Sequence, residues 1–182
     1  MILIRKILFF YFLGFLSIVD VRFSLVESAN MDEIKNVAQG VPIIEDAACA
    51  AGASYKGIPS GGLGDIGCFS FHPRKSITTG EGGVITTNEK SLYEKLLVFR
   101  AHGIHNNSDL FSNHTLAFAE NGDQNIWYYE MPEVGHNYRI TDIQCALGLS
   151  QLRKSEIFLT RRREIAQFYQ IGFRRNPLIT TP

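Results

Sequence analysis

One run constrains the fold more than any other: Cys68-Phe69-Ser70-Phe71-His72-Pro73-Arg74-Lys75-Ser76-Ile77-Thr78-Thr79-Gly80-Glu81-Gly82-Gly83. Ile66 to Phe71 is apolar and aromatic and reads as a strand, and Gly83 to Thr87 reads as another. Lys75 therefore stands just past a strand end, five residues after Ser70 and just ahead of a glycine-rich turn. A lysine held off the solvated surface can be biased toward its neutral amine, the form a Schiff base requires. On its own the pattern has a plainer explanation, a loop lysine with glycines punctuating a turn. The surrounding chain decides between the two.

Val41 to Ile44 is a short apolar run that leads into Glu45-Asp46, so a buried strand ends at carboxylates. Before it, Met31 to Ala38 reads as a helix capped by Asn30, with Met31, Ile34 and Val37 on one face. Ala47 to Tyr55 is small and helix-prone, and Ser60 to Asp65 is a loop. Asn88 is placed to cap a helix carrying Leu92, Leu96 and Phe99. His105 to Tyr128 is long and polar, a candidate irregular surface loop. Thr141-x-x-Gln144 is a capping box opening a helix with Ile143, Ala146, Leu147 and Ser150 on one side, and Arg161 to Tyr169 starts another helix. Alternating strands and helices give an α/β class. Ligands in such sheets gather at the carboxyl ends of strands, and Asp46, Ser70 and Lys75 all lie at or just beyond such ends.

Composition removes several function classes. With 182 residues and 45% hydrophobic content the chain can bury a core. Its 18 basic residues balance its 18 acidic ones, so there is no electrostatic case for nucleic acid binding. Cys49, Cys68 and Cys145 are scattered and odd in number, which suits a reducing, cytoplasmic compartment better than a disulfide framework. The histidines show no metal-ligand spacing with cysteine. Arg5 and Lys6 precede an apolar run from Ile7 to Val19, shorter than a membrane span needs. That stretch reads either as a signal peptide or membrane anchor, with membrane association through residues 7–19, or as sequence unrelated to the rest; the second reading is preferred.

Four motifs occur in register: Ile44-Glu45-Asp46-Ala47-Ala48, the Ser70 to Gly83 run, His102-Gly103-Ile104, and Gly135-His136-Asn137-Tyr138-Arg139-Ile140-Thr141-Asp142-Ile143-Gln144. Together, from about Met31 to Tyr169, they resemble the DegT/DnrJ/EryC1/StrS sugar aminotransferases. Trp127-Tyr128-Tyr129-Glu130 and the stretch from Gly135 to Leu152 are most similar to that family's pseudaminic-acid branch, which aminates a UDP-linked 4-keto-6-deoxy amino sugar.

The resemblance implies the large domain of a fold type I transferase that uses pyridoxal 5'-phosphate (PLP), with a mixed, mostly parallel sheet. It implies a homodimer that moves an amino group, usually from glutamate, to a nucleotide-linked ketosugar. Carried over, Lys75 holds the cofactor as a Schiff base and shuttles a proton, and Asp46 pairs with the pyridinium nitrogen. Ser70 binds the cofactor phosphate, and Asn137 reaches the phosphate of the neighbouring subunit. Singly, Asp46 could cap a helix, Ser70 could be a plain strand residue and Asn137 could hold a turn. Relatives with histidine in place of Lys75 act as dehydratases; the lysine favours transamination. Cys49 departs from the family's usual His or Gln beside the cofactor ring.

Family members are longer, and nothing before Met31 matches their phosphate-binding Gly-Thr loop or the aromatic residue that stacks on PLP. The expected organisation is a hydrophobic segment at 1–29, a partial PLP-binding large domain at 30–154, and at 155–182 the start of a linker helix to a small domain. Two alternatives stay open: a non-catalytic remnant, with or without a membrane tether, and a PLP-binding regulator without turnover.

Overall fold

The structure, a computed structural model, describes residues 29–181. The leader-or-anchor reading of residues 7–19 therefore lies outside the described residues. The chain divides into two compact units, one of residues up to Asn88 together with Ile140 onward, the other Glu89–Arg139.

The first unit opens with helix α1, Met31–Ala38. Asn30 caps it twice over, accepting from the Glu33 N–H at 3.3 Å and donating to the Glu33 carboxylate at 2.7 Å. The buried stripe is not the expected one. Met31, Ile34 and Ala38 pack into the core, while Val37 is 76% exposed. A spacing of three and then four residues keeps a stripe on one face, and the third member falls on Ala38 instead of Val37.

Strands β1 (Ile44–Asp46), β4 (Ile66–Ser70) and β5 (Gly83–Thr86) form one sheet in that order. β1 and β4 run parallel, with Asp46 opposite Cys68, whereas β4 and β5 run antiparallel, with Ser70 opposite Gly83. The sheet is thus mixed, with one ladder of each kind among the described strands.

Between β1 and β4 the expected helix-prone stretch, Ala47 to Tyr55, is not helical. It makes tight turns and then strand β2 (Ser54–Tyr55), which pairs antiparallel with β3 (Ile58–Pro59). The two residues joining them, Lys56 and Gly57, have φ of 49° and 83°. Two consecutive left-handed residues are what a two-residue hairpin turn demands, and that local chemistry overrides the helix propensity of the preceding alanines.

The core of this unit is Met31, Ile43, Ala47, Ala50 and Leu63, with Phe69 and Tyr55 packed against it. Burying Met31 and Leu63 contributes on the order of 2 kcal/mol each. Helices α4 (Asp142–Leu152) and α5 (Ser155–Phe173) complete the unit. The Thr141/Gln144 capping box is present at the start of α4. α5 begins at Ser155, six residues before the expected Arg161.

The second unit holds helix α2 (Lys90–Phe99) and the short helix α3 (His114–Ala117). The cap of α2 is Glu89, which accepts from the Ser91 N–H, and not the expected Asn88. The expected irregular loop from His105 to Tyr128 is organised. It contains a 3-10 turn at Ser108–Leu110 and α3, and it buries Phe111 and Ala117. Phe111 is the hub, stacked on His105 at 5.7 Å and edge-on to Tyr128 at 4.9 Å.

Candidate active site

The site grows from the carboxyl ends of β1 and β4. Alternation along β1 sends Glu45 and Asp46 to opposite faces. Glu45 is fully buried and accepts from the N–H groups of Gly61 (2.7 Å) and Leu63 (3.1 Å), fixing the loop beneath the strands. Asp46, half-buried at the strand end, accepts from the Ala48 N–H through Oδ1 at 3.0 Å. Among the described residues its Oδ2 has no partner. The next residue returns to the sheet: the Ala47 N–H donates to the Cys68 carbonyl at 2.9 Å.

Ser70 ends β4, and its hydroxyl oxygen accepts from the His72 N–H at 3.4 Å. The chain then leaves the sheet at Phe71 and returns at Gly82. The Phe71 N–H donates to the Gly82 carbonyl (2.9 Å), and the Phe71 carbonyl accepts from the Thr79 N–H (3.1 Å) and the Thr78 hydroxyl (2.9 Å). Inside that closed loop the Lys75 N–H donates to the His72 carbonyl at 2.9 Å.

Two helices brace the loop. From α4, the Gln144 amide donates to the Glu81 carbonyl at 2.9 Å. Gly148 presents bare backbone to buried Thr79: a Cβ there would sit 2.9 Å from Thr79 Cγ2. From α5, Arg162 donates to the Ser76 hydroxyl at 3.1 Å.

The side chain of Lys75 is half-buried, and its Nζ donates to Cys49 Sγ at 2.9 Å. Cys49 lies in the turn that follows Asp46. The two turns therefore meet over the ends of β1 and β4, and the structure brings Asp46, Ser70 and Lys75 to one edge of the sheet. Asn137 belongs to the second unit, where it is exposed and bridged antiparallel to Ala101. Cys68, opposite Asp46, has its thiol pushed up by burial and then by the charges of Asp46 and Glu45.

An amine, a carboxylate with a free oxygen and a hydroxyl on one edge fit PLP, which presents an aldehyde, a ring nitrogen and a phosphate. Three features of the site escaped the sequence reading: the Lys75–Cys49 contact, the burial of Glu45, and the bracing by Gln144 and Gly148. The Thr141-x-x-Gln144 motif signals the cap but not the second hydrogen bond its glutamine makes.

Comparison with known proteins gives the chain's relatives and its fold. A UDP-4-amino-4,6-dideoxy-N-acetyl-beta-L-altrosamine transaminase of Campylobacter jejuni is 39% identical over 171 residues, covering 93% of this chain and 40% of its own length. Among solved structures, PseC of Helicobacter pylori, an aminotransferase involved in the biosynthesis of pseudoaminic acid, superposes with a TM-score of 0.69 at 32% identity. It covers 82% of this chain and 36% of its own. The PLP-form of Spr1654 from Streptococcus pneumoniae gives 0.64 at 26% identity, covering 81% and 38%. The chain thus spans about two fifths of the length of the curated relatives it matches. Its fold is that of the α/β, fold type I PLP-dependent transferases. The profile of the DegT/DnrJ/EryC1/StrS aminotransferases matches residues 25–182, and the chain belongs to that family.

Proposed function

We propose that this chain contributes the lysine-bearing half of the active site of a PLP-dependent nucleotide-sugar aminotransferase. The enzyme would transfer an amino group from glutamate to a nucleotide-linked 4-keto-6-deoxy sugar. The placement of Lys75 carries the reading: it is pinned in a closed loop at the sheet edge that also holds Asp46 and Ser70. The Campylobacter relative, named as a transaminase of a UDP-linked amino sugar, supports a substrate of that class.

When bound, PLP supplies an electron sink for the carbon that gains or loses the amino group. Lys75 offers the primary amine that holds the aldehyde carbon, and the same Nζ carries a proton to and from substrate. Asp46 keeps one oxygen on the Ala48 N–H and offers Oδ2 to a protonated ring nitrogen. The Ser70 hydroxyl, accepting from the His72 N–H, still has its own proton to donate to a phosphate oxygen. Asn137 acts across a homodimer, as an amide donor to the partner's cofactor phosphate. The ends of β1 and β4 and the braced loop hold Asp46, Ser70 and Lys75; residues 155–182 lead toward a small domain. The scattered free cysteines support a cytoplasmic location. Among the described residues no helix is long and apolar enough to cross a membrane.

Borohydride reduction of the protein mixed with PLP tests the assignment. A pyridoxyl group should map to Lys75, and Lys75→Ala should lose the visible absorbance of the bound cofactor. An adduct on another lysine, with absorbance kept in the variant, overturns it. Absence of any PLP absorbance favours the non-catalytic alternative. Absorbance without a half-reaction with glutamate favours the regulator.

A further inference from the structure

We infer that Cys49 and Lys75 form an oxidant-sensitive pair: hydroperoxides close a covalent sulfur–nitrogen bond between Cys49 Sγ and Lys75 Nζ and take the amine out of use. The two atoms already touch at 2.9 Å. They come from turns 26 residues apart in sequence that are each fixed by their own backbone hydrogen bonds. Ala50 N–H to Ala47 O and Ala53 N–H to Ala50 O, both 2.9 Å, hold the cysteine turn, and Lys75 N–H to His72 O holds the lysine turn. No backbone rearrangement is needed to bring the reacting atoms together. Cys49 is exposed, so a small peroxide reaches it. Among the described residues, the lysine contact sets Cys49 apart from the other two thiols. The Cys68 thiol is pushed up by burial and by Asp46 and Glu45, which lowers its thiolate fraction, and Cys145 is exposed on α4.

The chemistry balances in two steps. The Cys49 thiolate attacks a peroxide oxygen; an S–O bond forms, the O–O bond breaks, and the leaving oxygen takes a proton to become water or an alcohol. Sulfur is oxidised by two electrons and the peroxide is reduced, leaving a sulfenic acid. The lone pair of the neutral Lys75 amine then attacks sulfur. An S–N bond forms, the S–O bond breaks, and hydroxide leaves with the proton shed by nitrogen as water. A thiol reductant reverses the second bond by attack on sulfur. The consequence for catalysis rests on the proposed role of Lys75; the bond itself does not, because it forms in the cofactor-free protein.

The test treats the 182-residue chain, without PLP, with hydrogen peroxide and maps its peptides by mass spectrometry. The peptide carrying Cys49 should appear joined to the one carrying Lys75, two hydrogens lighter than their sum, and dithiothreitol should separate them. Lys75→Met and Lys75→Gln should each abolish the joined species and raise dimedone trapping of sulfenic acid at Cys49 several-fold. Circular dichroism matching the parent establishes that the variants fold. Equal dimedone trapping in parent and variants, with no joined peptide, overturns the inference. So does a cross-link of Lys75 to Cys145 or Cys68. Reducing PLP onto the protein with borohydride first should block the cross-link. A cross-link that forms in a chain showing no PLP adduct keeps this inference and sinks the proposed cofactor role instead.

Discussion

At the scale of single residues, Glu45 and Asp46 show how environment divides labour between adjacent carboxylates. Glu45 is sealed in the core and spends both oxygens on the backbone of the 60–65 loop, so it builds the floor of the site. Asp46 stands at the strand end, and among the described residues one of its oxygens has no partner. The sequence shows two acids at the end of an apolar run but not which faces inward; that depends on strand register, set by the Asp46–Cys68 pairing. The division makes two opposed predictions. Asp46→Asn should leave stability close to that of the parent and PLP affinity only modestly reduced. If Asp46 has the proposed role beside the ring nitrogen, the change should slow the glutamate half-reaction on the order of a hundredfold, because that charge matters most as carbanion character develops. Single-turnover absorbance changes measure it, and a near-parent rate would remove Asp46 from the mechanism. Glu45→Ala should instead cost about 3 kcal/mol of folding stability by orphaning two buried N–H groups, read as a shift in denaturant midpoint at unchanged m-value.

At the scale of elements, α4 is coupled to the lysine loop through a residue chosen by two requirements at once. Capping boxes accept Glu or Gln at their third position, since either offers an acceptor to the cap residue. Here Gln144 Oε1 accepts from both the Thr141 N–H (3.0 Å) and its hydroxyl (2.8 Å), while Nε2 donates to the Glu81 carbonyl, 63 residues away in sequence. Only an amide does both. Gln144→Glu should keep the helix start yet set a carboxylate against a carbonyl. The expected loss is about 1–2 kcal/mol, with faster amide exchange at Thr79 and Lys75 by hydrogen-exchange mass spectrometry. Unchanged exchange in the lysine loop would show that the brace is incidental. This case marks the boundary of what was legible beforehand. The α1 cap and the α4 capping box were readable because every partner lies within three residues. The strand ends carrying Asp46, Ser70 and Lys75 were readable from apolar runs that stop at polar residues. Gln144 on Glu81, Gly148 against Thr79, and Cys49 on Lys75 were not, since each joins segments whose adjacency only the folded sheet creates. The helix expected over Ala47 to Tyr55 gives way to turns and the Ser54–Pro59 hairpin because a Lys-Gly turn is a weaker signal in sequence than closely spaced alanines.

At the scale of the whole molecule, two units respond to solution conditions through different groups. In the 89–139 unit, Glu130 gathers the N–H groups of Ser112 and Asn113 and the hydroxyls of Ser112 and Tyr128. The Tyr128 hydrogen bond first, then the backbone ones, hold its carboxyl at about 2, against an ordinary 4.5. A carboxyl depressed in the folded state stabilises it fully above its ordinary value and loses that contribution as pH falls from 4.5 toward 2. Amide exchange at Ser112 and Asn113, corrected for intrinsic rates, should therefore accelerate through that window, and Glu130→Gln should show the acid behaviour already at neutral pH. The other unit carries a different liability. Along α5, Ile157, Phe168 and Ile171 recur at helical spacing on one face, and Phe168 is 74% exposed. On α4, Ile143 is 84% exposed, and Leu149 and Leu152 are exposed as well. Exposed large apolar side chains in this number favour association in water. The purified 182-residue chain should therefore self-associate at about 10 µM in sedimentation velocity. Phe168→Glu with Ile171→Lys should shift it toward monomer without altering its circular dichroism, because neither side chain is buried in the fold. A parent chain that sediments as a single monomer at that concentration would show that the α5 face is tolerated by solvent and does not drive assembly.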